Sequence, residues 1–293
     1  MRGCTPGSRT SRRSRRRRRR FRPSRPARSP GRCAALPPAG TAFGLNWYPV
    51  LRPPVSAGYS SRRPFRFDFS DRQGQIERVC RMDITWLGHA CFRMRGRDVT
   101  VLTDPPDPKS GHAISKTDAS VVTISHDHPG HASLKSVGGD PVILRSPGEY
   151  EVKECLLTGL ASFHDGERGK TRGKNTVFII RLDNVVVGHL GDLGHAIDEA
   201  ELEALGDIDV LLVPVTGPDV NLTAALAADV VHQFEPKVVV PMSFDPAAKE
   251  GVHRRFLQEM GVKDVQPVPK LSVARANLPQ ELQVVVLESR ARE

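Results

Sequence analysis

The stretch "TISHDHPGHASL" (residues 123–134) places three histidines within six residues, directly after an apolar run. That run, "DASVVTIS", is nearly continuous in apolar residues, as expected of a strand buried on both faces. His126 and His128 are two positions apart, so in an extended chain both side chains point to the same side. The Pro-Gly pair that follows bends the backbone and can return His131 to the same pocket.

Placing three imidazoles in one pocket is unfavourable unless a ligand stabilises them together. Each loses hydration if it is buried neutral, and charged imidazoles repel one another. A shared cation removes the conflict, because neutral imidazole is the commonest metal ligand and Zn²⁺ accepts histidine nitrogens. Two further ligand types follow other apolar runs: His164 ends "LLTGLASFH" and Asp192 ends "NVVVGHLGD". The pattern predicts a metal site where several strands end.

The order of elements predicts an α/β fold. The runs "DITWLG", "CFRMRG" and "DVTVLTD" are short β-type segments separated by glycine, and "NTVFIIRLDNVVVGHLGD" resembles a hairpin that turns at Asp183–Asn184. Helix patterns then alternate with strands, over residues 198–206, 221–236 and 250–261, with Asn221 as the expected cap of the second helix. Strands first and alternation afterwards indicate two sheets between helix layers.

Charge is unevenly distributed along the 293 residues, whose formal net charge is +10. Residues 1–81 hold 21 arginines and three acidic residues, which gives +18. Residues 82–293 hold 22 basic and 30 acidic residues, which gives −8. The remainder of the chain is therefore acidic, which disfavours a nucleic-acid partner for it.

The first 81 residues are rich in Arg, Pro and Ser and are predicted to be disordered, because they offer little apolar surface to bury. Three interpretations remain open. The segment is an arm that attracts nucleic-acid phosphates, a tail without function, or an over-extended start that precedes the native Met82.

Cysteine usage and hydropathy bear on the compartment. Cys91 and Cys155, outside the basic segment, form no CxxC pair, which favours a reducing, cytoplasmic environment. No run of eighteen apolar residues occurs, so no transmembrane helix and no membrane partner are expected.

Several motifs occur in an order that resembles the metallo-β-lactamase superfamily. They are "WLGHACF", "TDP", "SHDHPGH", "GEYEV" and "GDLGH". The chain is similar to a compact branch of metal-dependent hydrolases that includes ascorbate-phosphate lactonase-like proteins, and the resemblance covers residues 82–293. It implies an αβ/βα four-layer sandwich of two mixed β-sheets flanked by helices, with metal bound at one edge.

The resemblance also implies a ligand set. His126, His128 and His164 match the three histidines of a first metal site, and Asp192 matches the aspartate that bridges two metals. His131 matches a ligand of the second site.

Two second-site ligands of the family pattern are absent. Gly130 stands where the signature has aspartate, and Ser243 stands where the last histidine is expected. We therefore expect one firmly held ion, Zn²⁺ with Mn²⁺ as the alternative. Loss of His126 or His164 should abolish metal binding, whereas loss of His131 should affect it little.

The resemblance assigns roles around the metal. Asp192 orients the attacking water, and His195 binds substrate, donates a proton or caps the next helix. Asp104 is expected to hydrogen-bond a ligand histidine or to cap a turn before the proline that follows it. His89 and Asp127 are expected beside the ligands. The other histidines are expected to be structural or surface residues: His112, His189, His232 and His253.

The predicted activity is metal-assisted hydrolysis, in which hydroxide attacks an ester, lactone or phosphoester. The loop over residues 165–174 carries four basic residues near His164, which could attract an anionic small-molecule substrate or could simply be solvated. Two alternatives stay open. The protein binds metal but has lost catalysis, as Gly130 and Ser243 suggest, or it is a nuclease that uses the Arg-rich tail.

Overall fold

The computed structural model describes residues 81–217, 220–245, 248, 251–263 and 265–291. The predicted disordered extension, apart from Arg81, lies outside the described residues. The strands in chain order are β1 (Met82–Gly88), β2 (Cys91–Arg95), β3 (Thr100–Thr103), β4 (Thr117–Asp118), β5 (Val121–Thr123), β6 (Val137–Gly138), β7 (Val142–Leu144), β8 (Gly148–Val152), β9 (Cys155–Phe163), β10 (Lys174–Leu182), β11 (Val185–His189), β12 (Val210–Pro214), β13 (Val238–Met242), β14 (Leu271–Val273) and β15 (Gln283–Val284). The α-helices within the described residues are α1 (Glu199–Leu205), α2 (Ala224–Phe234) and α3 (Val252–Glu259).

Two mixed sheets form the framework. The first has the strand order β14-β1-β2-β3-β5-β7, and the second has the order β15-β13-β12-β11-β10-β9-β8. In the first sheet, β1, β2 and β3 form an antiparallel meander, and β3, β5 and β7 are parallel. In the second, β8 to β11 are antiparallel, and β11, β12 and β13 are parallel. Both sheets therefore have several strands that end at the same edge.

The inner faces of the two sheets enclose the main core. Strand β10 shows the alternation that makes this possible: Phe178 and Ile180 face the first sheet, whereas Val177 and Ile179 face the helices. All four side chains are buried, so β10 reads as a continuous apolar run.

The two outer faces are covered differently. Side chains of α1, α2 and α3 pack on the second sheet. The first sheet is covered by the connections on either side of β5, residues 105–119 and 132–138, which contain a 3₁₀ turn at Pro108–Ser110 and the two-stranded β4–β6 ladder. The "DPPDP" sequence that starts this segment disfavours an α-helix, because proline lacks the amide donor. The sandwich of two mixed sheets is confirmed, and this layer is irregular rather than helical.

The local predictions differ from the structure mainly at element ends. The β10–β11 hairpin turns at Asp183 and Asn184, both with positive φ, as predicted. The expected cap at Asn221 is wrong, because α2 begins after Thr223, whose side chain accepts a hydrogen bond from the Leu226 N–H. The Asn221 side chain instead accepts hydrogen bonds from the backbone of the loop after β12. The last predicted strand is confined to β15. Within the described residues, no helix is both long and apolar enough to cross a membrane.

Candidate metal centre

Asp104, directly after β3, fixes the histidine-rich loop that follows β5. Its carboxylate accepts hydrogen bonds from the Ser125 N–H (2.7 Å) and the Ser125 hydroxyl (2.6 Å). The residue is fully buried and has a positive φ of 38°. Burial alone would raise the pKa of Asp104, but the charge and hydrogen bond of His131 outweigh it, so the pKa is lowered. Asp104 therefore stays ionised and holds both the loop and His131.

His131 lies between two buried carboxylates. Its Nδ1 is 2.9 Å from Asp104 Oδ2, and its Nε2 is 3.1 Å from Asp192 Oδ2. Burial alone would lower the pKa of His131, but the two aspartates outweigh it and raise the pKa to about 10. Nδ1 serves as the donor to Asp104, which turns Nε2 towards Asp192.

One oxygen of Asp192 is the centre of the cluster. Asp192 Oδ2 lies 3.1 Å from His131 Nε2, 3.4 Å from His164 Nε2 and 3.9 Å from His126 Nε2. Burial alone would raise the pKa of Asp192, but the hydrogen bond and charge of His131 lower it. An ionised carboxylate thus faces three imidazole nitrogens, two from the loop after β5 and one from the end of β9.

Two of these nitrogens are left unsatisfied by the part of the chain that the structure describes. The Nε2 atoms of His126 and His164 are buried and have no hydrogen-bond partner there. Burial lowers the pKa of His126 to about 4 and also lowers the pKa of His164, so both rings are neutral at neutral pH. Ligand atoms of His126, His164 and Asp192 all lie within 4.8 Å of one another. Neutral imidazole nitrogens beside a carboxylate, with no other partner, fit a divalent cation.

His128 occupies a different position from the other predicted first-site ligands. It is exposed, and its Nδ1 accepts a hydrogen bond from the Gly130 N–H at 3.1 Å. Its ligand atom groups with those of His126 and His131. Among the described residues, no such group joins His128 with His164, so His126 is the residue that the two groups share.

His195 is held by the backbone. The Phe163 N–H donates to its Nε2 (3.3 Å), and its Nδ1 lies 2.8 Å from the Ala196 carbonyl oxygen. Both ring nitrogens therefore have partners outside the cluster, and Asp198 rather than His195 caps α1. The ring ties the loop after β11 to the end of β9. Asp127 is exposed, and its role beside the ligands stays a prediction.

The basic loop after β9 is wrapped around Asp165, which sequence reasoning missed. This carboxylate accepts hydrogen bonds from the backbone N–H groups of Glu167, Gly169, Thr171 and Arg172, at 2.7–3.0 Å. These bonds lower the pKa of Asp165 to about 2. An aspartate followed by a glycine-rich stretch was the available signal. The loop is thus an ordered turn that presents its exposed basic residues beside His164: Arg168, Lys170 and Lys174.

Two buried asparagines position Asp192, and neither was predicted to do so. Asn175 Oδ1 accepts a hydrogen bond from the Asp192 N–H (3.1 Å), and its Nδ2 donates to Leu190 O (2.9 Å). Asn221 Nδ2 donates to Asp192 Oδ1 at 3.4 Å. A polar residue at the start of the apolar run of β10 was the signal for Asn175, whereas the contact of Asn221 depends on tertiary structure.

A cleft of about 800 Å³ opens at His89, whose Nε2 lies 3.0 Å from His131 Nε2. His89 and His112 line it and stack with ring centroids 4.8 Å apart. Phe244 and His253 also line it and stack at 4.7 Å. His112 and His253, which were expected to be ordinary surface or structural residues, therefore border the same cleft as His89.

Histidines and aspartates converge where strands of two mixed sheets end, which is the arrangement that the resemblance to metal-dependent hydrolases of the metallo-β-lactamase fold implies. Comparison with known proteins agrees. Residues 83–243, more than half of the chain, match the family described as "Beta-lactamase superfamily domain". The chain belongs to this superfamily.

The relatives specify the branch. A UPF0173 protein of Pyrococcus furiosus is 29% identical over 210 residues, which cover 64% of this chain and 97% of that protein. A UPF0173 metal-dependent hydrolase of Methanopyrus kandleri is 26% identical over 222 residues, covering 64% of this chain and 96% of the relative. A Thermotoga maritima structure, provisionally described as a Zn-dependent hydrolase of the same superfamily, is 34% identical. It superposes with a TM-score of 0.59 and covers 71% of this chain and 99% of its own.

Proposed function

We propose that the resident metal is Zn²⁺ and that His126, His164 and Asp192 hold it, with His128 at the exposed side. Two nitrogens and one carboxylate oxygen are a ligand set that zinc accepts, with a position left for water or substrate. Mn²⁺, the alternative, prefers sites richer in oxygen ligands. The provisional description of the Thermotoga relative as Zn-dependent also supports zinc.

The reaction proposed is hydrolysis of an ester, lactone or phosphoester. A bound divalent cation supplies hydroxide near neutral pH and polarises the scissile oxygen. Asp192 is placed to orient the attacking water, because Asn175 and Asn221 fix its loop and its carboxylate. Asp104 keeps the ring of His131 turned towards the same oxygen of Asp192.

The substrate proposed is an anionic small molecule. A cleft of about 800 Å³, with His89 on its wall, is of the size that holds small molecules. The exposed Arg168, Lys170 and Lys174, which follow the ligand His164 in the chain, provide positive charge that would attract an anion. Residues 82–293 carry a net charge of −8, which argues against a nucleic-acid substrate for this part of the chain. Two free, buried cysteines, Cys91 and Cys155, support a reducing, cytoplasmic environment.

The observation that carries this proposal is the pair of buried, unpartnered nitrogens on His126 and His164, both facing Asp192. The test measures metal content by mass spectrometry, together with turnover of generic esters, lactones and phosphodiesters. The His164→Ala variant is compared with His232→Ala, which changes an exposed histidine of α2. We expect zinc and turnover in the wild type and in His232→Ala, and neither zinc at this site nor turnover in His164→Ala. Bound zinc without turnover on any substrate would favour the catalytically degenerate alternative.

A further inference from the structure

Both positions at which second-site ligands are missing contact the same residue, His89. At Gly130, a Cβ atom would lie 3.1 Å from His89 Nε2 and 3.3 Å from His89 Cδ2. The ring of His89 therefore occupies the space into which a side chain at position 130 would extend. A glycine at this position lets the imidazole approach the cluster closely.

Ser243 contacts His89 from the other side, through the backbone. Its N–H donates to the His89 carbonyl oxygen at 3.1 Å, and the Trp86 indole N–H donates to the same oxygen at 2.7 Å. His89 has a φ of 51°, in the left-handed region that histidine adopts uncommonly. The segment that would supply a last histidine after β13 thus helps to hold His89 in an unusual backbone conformation at the β1–β2 turn.

The side chain of His89 points at His131 and Asp192. His89 Nε2 lies 3.0 Å from His131 Nε2, which lies 3.1 Å from Asp192 Oδ2. The three ligand atoms lie within 4.8 Å of one another. Two nitrogen ligands that each lie ~2.0–2.1 Å from a tetrahedral zinc ion are about 3.4 Å apart, so small adjustments would suffice. His112 stacks on His89 with an interplanar angle of 6° and so fixes its plane.

We propose that His89, His131 and Asp192 form a second site for a divalent transition-metal ion, in which His89 replaces the ligands absent at Gly130 and Ser243. The proposal rests on the proposed function, because Asp192 is shared with the first site. Asp104 would orient His131 from behind through Nδ1, as carboxylates do for metal-bound histidines. Two imidazoles and one carboxylate suit Zn²⁺ or Co²⁺ and leave a position open.

The test is metal stoichiometry in the full-length chain. The protein is stripped with a chelator and titrated with Co²⁺, and binding is followed by calorimetry and by visible absorption. His89→Asn is the informative variant, because asparagine tolerates a positive φ whereas its amide is a poor ligand for this metal. His232→Ala is the control, since His232 is an exposed histidine of α2 and belongs to none of the ligand groups among the described residues.

We expect two ions per wild-type chain and per His232→Ala chain, but one ion per His89→Asn chain with its affinity unchanged. Adding Ser243→His to His89→Asn should restore the second ion. One ion in the wild type, or two ions in a folded His89→Asn variant, would overturn the proposal and show a purely structural hydrogen-bonded cluster, while the proposed function would stand. No ion in the wild type would defeat both. If His89→Asn does not fold, the wild-type titration alone decides whether a second ion binds.

Discussion

The two halves of the proposed metal centre, His126 with His164 and His89 with His131, share Asp192 but are held in opposite ways. In the first half, the Nε2 atoms of His126 and His164 have no hydrogen-bond partner among the described residues. In the second half, His131 is bonded on both sides, and the backbone of His89 is fixed by two donors. The fold therefore organises the second half by its own hydrogen bonds, whereas the first half needs a ligand to satisfy its buried nitrogens.

Removing the shared residue should have the largest effect on this arrangement. Asp192→Asn takes the charge from the oxygen that three imidazoles face, so neither half should retain metal. The loss of affinity should exceed the ~100-fold that removal of an outer-shell partner costs. Metal analysis after gel filtration, with turnover measured in parallel, checks this. A variant that keeps one ion would show that the halves do not depend on a common carboxylate.

The next largest effect should come from substituting a ligand of one half, which should remove one ion and spare the other. His126→Ala removes one of the two unpartnered nitrogens, so the first ion should be lost and hydrolysis abolished, while the second half keeps its hydrogen bonds. His131→Ala should do the converse and spare the first ion, as the sequence predicts. Calorimetric titration with Zn²⁺ resolves the two cases. If His131→Ala alone strips all metal, the division into two halves is wrong.

The sequence located the cluster because strand ends and ligand residue types coincide. Apolar runs that stop at His126, His164 and Asp192 can be recognised in the sequence. Because parallel strands end at one edge of a sheet, residues that follow such runs are expected to lie close together. The structure brings together ligand atoms of these three residues. The sandwich of two mixed sheets was predictable for the same reason, since apolar runs and their order determine which faces are buried.

The features that could not be predicted from the sequence depend on contacts between segments that are distant in the chain. His89 lies 42 positions before His131, and nothing local indicates that their rings meet. Asn221 looked like a helix cap because cap residues and loop residues share the same chemistry. The sequence also predicted a helix layer on the first sheet, where the structure has an irregular segment. The proline-rich start of that segment disfavours a helix, and the prediction from element order did not consider it.

A weaker perturbation tests whether the fold really organises the second half. Asp104→Asn keeps an acceptor for the Ser125 N–H but removes the charge that orients His131. We expect a ~10–100-fold loss of metal affinity in the second half and little change in the first. Asp107→Asn is the control, because Asp107 pairs with Lys135 at the surface. Equal losses in both halves would mean that Asp104 acts through general stability, which urea unfolding of the metal-free proteins would reveal.

The smallest effect should come from the segment with the largest charge. Deleting residues 1–81 removes a net +18 and leaves a chain of net −8 that still contains every ligand of both halves. Metal stoichiometry and turnover of a neutral ester should therefore stay the same. Binding to duplex DNA at low salt, measured by fluorescence anisotropy, should disappear, since it would arise from arginine–phosphate contacts and weaken steeply as salt rises. Loss of turnover on deletion, with metal content retained, would instead place the Arg-rich segment at the active site and support the nuclease alternative. Deletion of residues 1–81 should leave metal binding in both halves unchanged. Only substitutions within the metal centre should affect one half and spare the other.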